Sequence, residues 1–167
     1  FFFFFFFFLV PAEFKHRIYQ GGEELAFYDF TSMKLINSTP KTRLQAKILG
    51  ELLNIRLRRK FREERGDVYS IHAQQSLSTY PKEAFIYSIT FSCDPQKHDE
   101  LVSLLHQEIE DFYQEVDPQG DLDNIKLQFQ NGYEVGLKEN KQWIKSLTTH
   151  IRRKQHPNGI FSFPERL

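Results

Sequence analysis

A short stretch of the chain, residues 58–70, concentrates side chains that could bind an oxygen-rich group. It reads RRKFREERGDVYS, so a run of cations leads into a tyrosine near its end. Guanidinium and ammonium groups donate hydrogen bonds to phosphate, carboxylate and carbonyl oxygens, and a phenol adds one further donor. Three interpretations follow: a nucleic-acid patch, the solvated end of a helix, or a substrate-holding element lent to an active site elsewhere.

The overall charge argues against the first of these interpretations. The chain has 22 Lys and Arg against 22 Asp and Glu, which gives a formal net charge of zero. A protein dedicated to nucleic acid or to a membrane surface usually carries a basic excess. We therefore expect no nucleic-acid partner and, because no apolar run is long enough, no membrane span.

Residue types that carry catalysis are present without the spacing that catalysis needs. A metal site on one helix needs two histidines three or four residues apart, and none of the six has such a neighbour; they are His16, His72, His98, His106, His150 and His156. The chain has no glycine-rich phosphate loop and no Gly-x-Ser-x-Gly element. We expect no metal and no catalytic centre in this chain.

Three other groups of reactive side chains have a structural interpretation. Cys93 is the single cysteine, and we expect it in the core of a strand, with a reactive thiol as the lesser alternative. The acidic pairs Glu63–Glu64 and Glu108–Glu110 fall on predicted helices, where a solvated face is expected. We expect His98 and His106, eight residues apart, on the surface of a helix.

The elements that must position residues 58–70 follow from hydrophobic periodicity. A long helix is predicted from a cap at Ser38 or Thr39, with Pro40 in its first turn, to an end at Gly66. Further helices are predicted over about 96–115 and over 122–153, where Gly132 and Gly136 indicate either a kink or two helices. The predicted strands lie at 15–19, 25–33, 67–78 and 83–93.

This order of elements predicts an α+β fold: an antiparallel or mixed β-sheet with helices packed on one face. In the strand after the long helix, strict alternation groups Val68, Ser70 and His72 on one face, and Tyr69, Ile71 and Ala73 on the other. Residues 1–14 open with a run of Phe that has neither helical nor strand period, so we treat them as a segment of uncertain identity. The remainder, 15–167, is predicted to be a single domain.

Three segments resemble the C-terminal, non-catalytic domain of the pitrilysin/insulinase (M16) zinc peptidases. They read LGELLNIRLRRKFREERGDVYSIHA, FIYSITFSCDPQKHDELVSLLHQEI and LKENKQWIKSL, and the resemblance runs from about Tyr19 to Arg153. It implies one half of a clam shell built from two similar α+β domains. The family's zinc would be held by an N-terminal partner domain, in the same chain or a separate subunit, on a His-x-x-Glu-His motif that this chain lacks.

The resemblance also gives roles to two residues, since the family's zinc-free domain contributes an arginine and a tyrosine seven residues apart. Arg62 and Tyr69 have that spacing. Arg62 would hold a backbone carbonyl of a peptide substrate, and Tyr69 would donate a hydrogen bond to the substrate carbonyl as it becomes an oxyanion. The competing interpretations are a helix-end cation that meets the helix dipole and a strand-packing tyrosine.

Other expectations depend on the same resemblance. The alternative function is a non-enzymatic scaffold or a subunit of a processing complex with the same fold. A peptide could also bind by adding a strand to a sheet edge. The family's domain usually continues past FPERL with another helix and strand, so we expect the chain to be incomplete at its C-terminus. A periplasmic location is favoured if the source is bacterial.

Overall fold

The computed structural model describes residues 25–37, 39–78, 82–117 and 120–167. The predicted strand at 15–19 and the segment 1–14 lie outside the described residues. The chain divides into two compact units, one ending at Val116 and the other formed by Asp117–Leu167. The prediction of a single domain over 15–167 stays a prediction.

The first unit contains three strands and two long helices in its described part, and the second contains two helices. In chain order the elements are β1 (Ala26–Leu35), α1 (Pro40–Arg58), a π-helical segment (Arg59–Glu64), β2 (Val68–Ser78), β3 (Ala84–Cys93), α2 (His98–Gln114), α3 (Leu122–Gly136) and α4 (Asn140–Arg152). Short 3₁₀ turns occur at Pro95–Lys97, Pro157–Ile160 and Pro164–Arg166. The predicted break near Gly136 is confirmed as two separate helices. None of the described helices is both long enough and apolar enough to cross a membrane.

The three strands form an antiparallel sheet in the order β1-β3-β2. The central strand β3, AFIYSITFSC, is rich in the aromatic and β-branched residues that suit a pleated surface covered by neighbours. Its Phe91 pairs with Tyr28 of β1 on one side and with Ile71 of β2 on the other. The predicted α+β class with an antiparallel sheet is confirmed.

Helices cover the face of the sheet to which Phe91 belongs. The ring of Phe61, in the π-helical segment, lies 6.0 Å from that of Phe91, and the ring of His106 on α2 lies 5.9 Å from that of Phe30. Gly50 lets α1 approach β2 closely, because a Cβ there would lie 2.5 Å from the Gln75 side chain. The core of the first unit therefore lies between the sheet and its helices.

The start of α1 agrees with the predicted cap at Ser38 or Thr39 and decides between the two. Thr39 is the N-cap, and its hydroxyl accepts a hydrogen bond from the Thr42 amide at 3.1 Å, while the Thr42 hydroxyl accepts one from the Thr39 amide at 2.8 Å. This reciprocal capping box satisfies two amides that the first turn leaves without partners, and Pro40 has no amide to satisfy. The cap fixes where α1 begins.

The second unit is built from α3, α4 and the C-terminal turns. The indole of Trp143 donates a hydrogen bond to the Leu137 carbonyl at 2.8 Å, which ties α4 to the turn before it. The rings of Tyr133 and Phe163 stack with centroids 5.1 Å apart. Two large apolar side chains of α4 are exposed, since Ile144 and Ile151 are 67% and 70% exposed.

A buried carboxylate joins α1 to α2 in the first unit, and its burial corrects the prediction of a solvated face. Glu108 is only 7% exposed and accepts a hydrogen bond from Arg56 Nε at 3.0 Å. Lys60 Nζ lies 3.8 Å from the other carboxylate oxygen of Glu108. Glu108 lies on the stripe of Leu101, Leu105 and Phe112, so helical spacing already indicated that its side chain points inward. Its neighbour Glu110 is exposed, as predicted.

A second charged cluster, which we call the loop tether, consists of Arg65, Asp67, Lys97 and Glu100. Arg65 Nε donates to Asp67 at 2.8 Å, and its Nη2 donates to Glu100. Lys97 Nζ donates to the other oxygen of Asp67. These hydrogen bonds from Lys97 and Arg65 lower the pKa of Asp67, so its carboxylate is ionised well into the acid range. The tether joins the loop before β2 to the start of α2.

Removing the Glu108 charge should destabilise the protein because Arg56 would be left as an unpaired, largely buried cation. We expect Glu108→Ala to lower the free energy of unfolding by about 3 kcal/mol. Urea denaturation followed by circular dichroism would measure it. The matched control is Glu110→Ala, which removes an exposed carboxylate on the same helix turn and should change stability by less than about 0.5 kcal/mol. Equal effects of the two variants would contradict the buried pair.

The loop tether gives stability a dependence on acid pH. The pKa of Asp67 is lower in the folded protein than in the unfolded chain. Its carboxylate therefore contributes fully to the stability of the fold at pH values above the ordinary pKa of aspartate. That contribution is lost as the pH falls from that value through the lowered folded pKa. The melting temperature of wild type should therefore exceed that of Asp67→Asn at neutral pH, and the two should converge in strong acid. A difference that is constant with pH would contradict this assignment.

Candidate functional site

Arg62 lies in the π-helical segment that continues α1. A π-helix is rare, and short π-helical turns occur frequently at functional sites. Phe61, the residue before Arg62, has no solvent exposure and packs against Phe91, whereas Arg62 itself is exposed. In this segment the Phe61 side chain therefore lies in the core, and the next side chain, that of Arg62, lies in solvent.

Arg62 also differs from most cations around it in having no described partner. Arg56 pairs with Glu108, Lys60 with Glu64 at 3.2 Å, and Arg65 with Asp67. Arg59 has an interaction of its own. In the described part of the chain, neither the Arg62 side chain nor the Arg58 side chain makes a hydrogen bond or an ion pair. The guanidinium of Arg62 therefore keeps its five donors available for another molecule.

Tyr69 is the extra residue of a β-bulge at the start of β2. Val68 pairs with Cys93 and Ser70 pairs with the adjacent Ser92, which leaves Tyr69 without an opposite residue on β3. A bulge redirects a side chain and interrupts alternation along the strand. Tyr69 is accordingly 68% exposed, so it is not a strand-packing tyrosine.

The bulge also corrects the faces predicted for β2. Val68 is buried together with Ile71 and Ala73, whereas strict alternation grouped it with Ser70 and His72. The sequence held a signal for this irregularity. Buried apolar residues in an ordinary strand are two apart, and the step of three from Val68 to Ile71 marks one inserted residue.

A short loop joins the two predicted site residues. Gly66 adopts a left-handed backbone with φ of +67°, a conformation that glycine adopts without strain and that commonly ends helices. Arg65 and Asp67 flank this glycine, and both belong to the loop tether. The loop between Arg62 and Tyr69 is therefore held by side-chain hydrogen bonds to α2 on either side of its glycine.

The two described side chains of this site can bind oxygen atoms by donating hydrogen bonds. Arg62 and Tyr69 offer donors, and no group of three or more His, Cys, Asp or Glu in the described ranges could hold a metal ion. Cys93 is fully buried in β3, as predicted, and burial raises the pKa of its thiol, which disfavours the nucleophilic thiolate. A zinc ion does not fit the residues described here.

The predicted pair is thus present as two exposed donors on either side of a fixed turn. Their roles toward a substrate are not tested by this chain alone and stay predictions. Sequence reasoning missed the irregular backbone and the loop tether. Phe61 follows Leu57 by four residues, and this helical spacing of apolar residues did indicate that the helix continues past Arg58. No sequence signal specified that the continuation is π-helical.

Comparison with known proteins identifies the family. The family described as "Peptidase M16 inactive domain" matches residues 38–129, more than half of the chain. No curated protein matches the chain.

Two solved structures share its fold. One is the periplasmic protease PqqL from Escherichia coli, with a TM-score of 0.74, 16% identity and 87% of this chain covered. The other is a mutant of the ferredoxin protease FusC in complex with Arabidopsis ferredoxin, with a TM-score of 0.75, 18% identity and the same coverage. The match spans only 16% of the length of each of those chains. The family match, supported by this shared fold, shows that the chain belongs to the inactive-domain family of the M16 peptidases.

Proposed function

We propose that this chain is the zinc-free partner domain of an M16-type metallopeptidase. In this proposal it helps to bind peptide substrate and stabilises the transition state of hydrolysis at a zinc site on another domain. The observation that carries the proposal is that Arg62 and Tyr69 are exposed donors on two irregular backbone segments, and Arg62 has no described partner. Both π-helical turns and β-bulges occur frequently at functional sites.

The proposed role of Tyr69 is to donate a hydrogen bond where negative charge develops. When water attacks a peptide carbonyl, its oxygen becomes an oxyanion, and a donor fixed in advance stabilises that state more than the ground state. Tyr69 suits this task because its backbone lies in the bulge while its side chain remains accessible. An interaction made mainly in the transition state raises kcat.

The proposed role of Arg62 is to hold a backbone carbonyl of the bound peptide. The carbonyl is present in the substrate and in the transition state alike, so this contact contributes mainly to binding. A backbone carbonyl also occurs in every peptide, so the contact would not select a sequence. A favourable interaction of the Arg62 charge with the helix dipole is compatible with this role, since an exposed guanidinium at a helix end can still donate hydrogen bonds to a substrate.

The catalytic step itself would depend on the partner. A zinc ion held by the partner domain would polarise the scissile carbonyl and supply an activated water. This chain would add the oxyanion donor and the carbonyl clamp from across the substrate. The family's domain pairing and the word "protease" in the titles of both structural neighbours support a peptide as the substrate class.

The first experiment combines this chain with the zinc-bearing domain found in the same gene or in an adjacent one. Each piece alone should leave a quenched fluorescent peptide uncut, and the two together should cut it in a reaction that a zinc chelator abolishes. Combined pieces that associate but never cleave any peptide of a mixed-sequence library would favour the scaffold function instead.

Substitutions in the complete peptidase test the two residues separately. Tyr69→Phe should lower kcat by about 100-fold, the usual loss when one oxyanion donor is removed. Arg62→Ala should raise KM by roughly 10-fold or more, since a charged hydrogen bond contributes about 1.5–3 kcal/mol. Both proteins should keep the wild-type melting temperature, because each side chain is exposed.

A matched control is available for each position. Arg58→Ala removes an exposed arginine that also lacks a described partner, one helical turn earlier, and Tyr113→Phe removes a hydroxyl from another exposed tyrosine. Neither should change kcat or KM appreciably. Wild-type kinetics for both Arg62→Ala and Tyr69→Phe would show that these residues have no role in the peptidase.

A further inference from the structure

The loop between Arg62 and Tyr69 is short and rich in charge. Only residues 65–67 separate the π-helical segment from β2, and two of these three residues are charged. Gly66 stands between them with a positive φ, a position where the backbone is inherently free. A loop of this kind would move unless side chains restrained it.

Asp67 supplies the restraint through both of its carboxylate oxygens. Oδ2 accepts from Arg65 Nε at 2.8 Å, and Oδ1 accepts from Lys97 Nζ. Its side chain is only 12% exposed, although it lies on a loop. Lys97 directly precedes α2, whose Leu101 and Leu105 have no solvent exposure, so the tether connects the loop to a rigid part of the core.

We propose that Asp67 is a positioning residue that fixes the phenol of Tyr69 for its role toward the substrate. This inference depends on the function proposed above. Asp67 is two residues from Tyr69, and only Val68 lies between them. Because Val68 is buried, the position of the Asp67 backbone constrains the position of the bulge.

Two physical arguments favour positioning over the other roles that an aspartate could have. Its two oxygens are already occupied by cations from this chain, which leaves Asp67 poorly placed to contact a substrate or a metal. The two cations come from the loop itself and from the residue before α2, so the carboxylate fixes the position of the loop relative to that helix in addition to its contribution to stability. An oxyanion donor is effective only when it is held in place before the reaction.

The test measures kcat and KM of the complete peptidase with a quenched fluorescent peptide, at a temperature at which every variant is folded. Asp67→Asn should lower kcat roughly 10-fold and change KM by less than about twofold, as expected when a catalytic group is displaced slightly. Asp67→Glu, which keeps the carboxylate, should recover part of the loss. Asp123→Asn, an exposed aspartate of α3, is the control and should behave as wild type.

A double variant distinguishes positioning from a general structural effect. If Asp67 acts through the Tyr69 hydroxyl, Asp67→Asn should cause no further loss of kcat in a Tyr69→Phe background. Losses that multiply in the double variant would overturn the inference. Lys97→Met loosens the tether from the α2 side, and it should give the same kcat-specific loss even if Asp67→Asn folds poorly.

The outcomes separate this inference from the proposed function. A large loss in Tyr69→Phe with wild-type kinetics in Asp67→Asn and Lys97→Met would refute the positioning role and leave the function of Tyr69 intact. Wild-type kinetics in Tyr69→Phe itself would refute the proposed function, and the positioning role with it.

Discussion

Burial of two apolar residues, Phe61 and Val68, is the constraint on which the site depends. Each directly precedes a predicted site residue, and each lies in the core of the first unit. The chain must therefore place Phe61 inward and Arg62 outward, then Val68 inward and Tyr69 outward. A π-helical turn and a β-bulge satisfy these requirements, so the irregular backbone follows from the core as much as from the exposed side chains.

Pairing of charges then decides which cations remain available. The sequence presents a run rich in cations, but the fold gives Arg56 the buried carboxylate of Glu108 and gives Arg65 the carboxylates of Asp67 and Glu100. Arg62 is left without a described partner because it projects from the exposed side of the widened turn. The neutral net charge of the chain and this local pairing together explain why a basic run need not bind nucleic acid.

The chain belongs to the inactive-domain family of the M16 peptidases, and its candidate site is a pair of exposed hydrogen-bond donors. Among the described residues, no group of three or more His, Cys, Asp or Glu could hold a metal ion beside them. In the function proposed here, another domain brings the reacting atoms to these donors. The loop tether is consistent with this proposal, because an oxyanion donor is effective only when it is in position before the reaction begins.

The sequence by itself indicated the α+β class, a cap for α1 at Ser38 or Thr39, a kink or break near Gly132 and Gly136, and the burial of Cys93, because each depends on local periodicity or on a single residue's backbone preference. It also indicated Arg62 and Tyr69, through family resemblance rather than geometry. Only the tertiary structure decided that Tyr69 lies in a bulge, that Glu108 is buried and that Asp67 holds the loop. Apolar spacing indicated the inserted residue in β2 and the inward direction of Glu108, but the partners Ser92, Arg56 and Lys97 that fix these features lie far away in sequence, so no local pattern specifies the contacts.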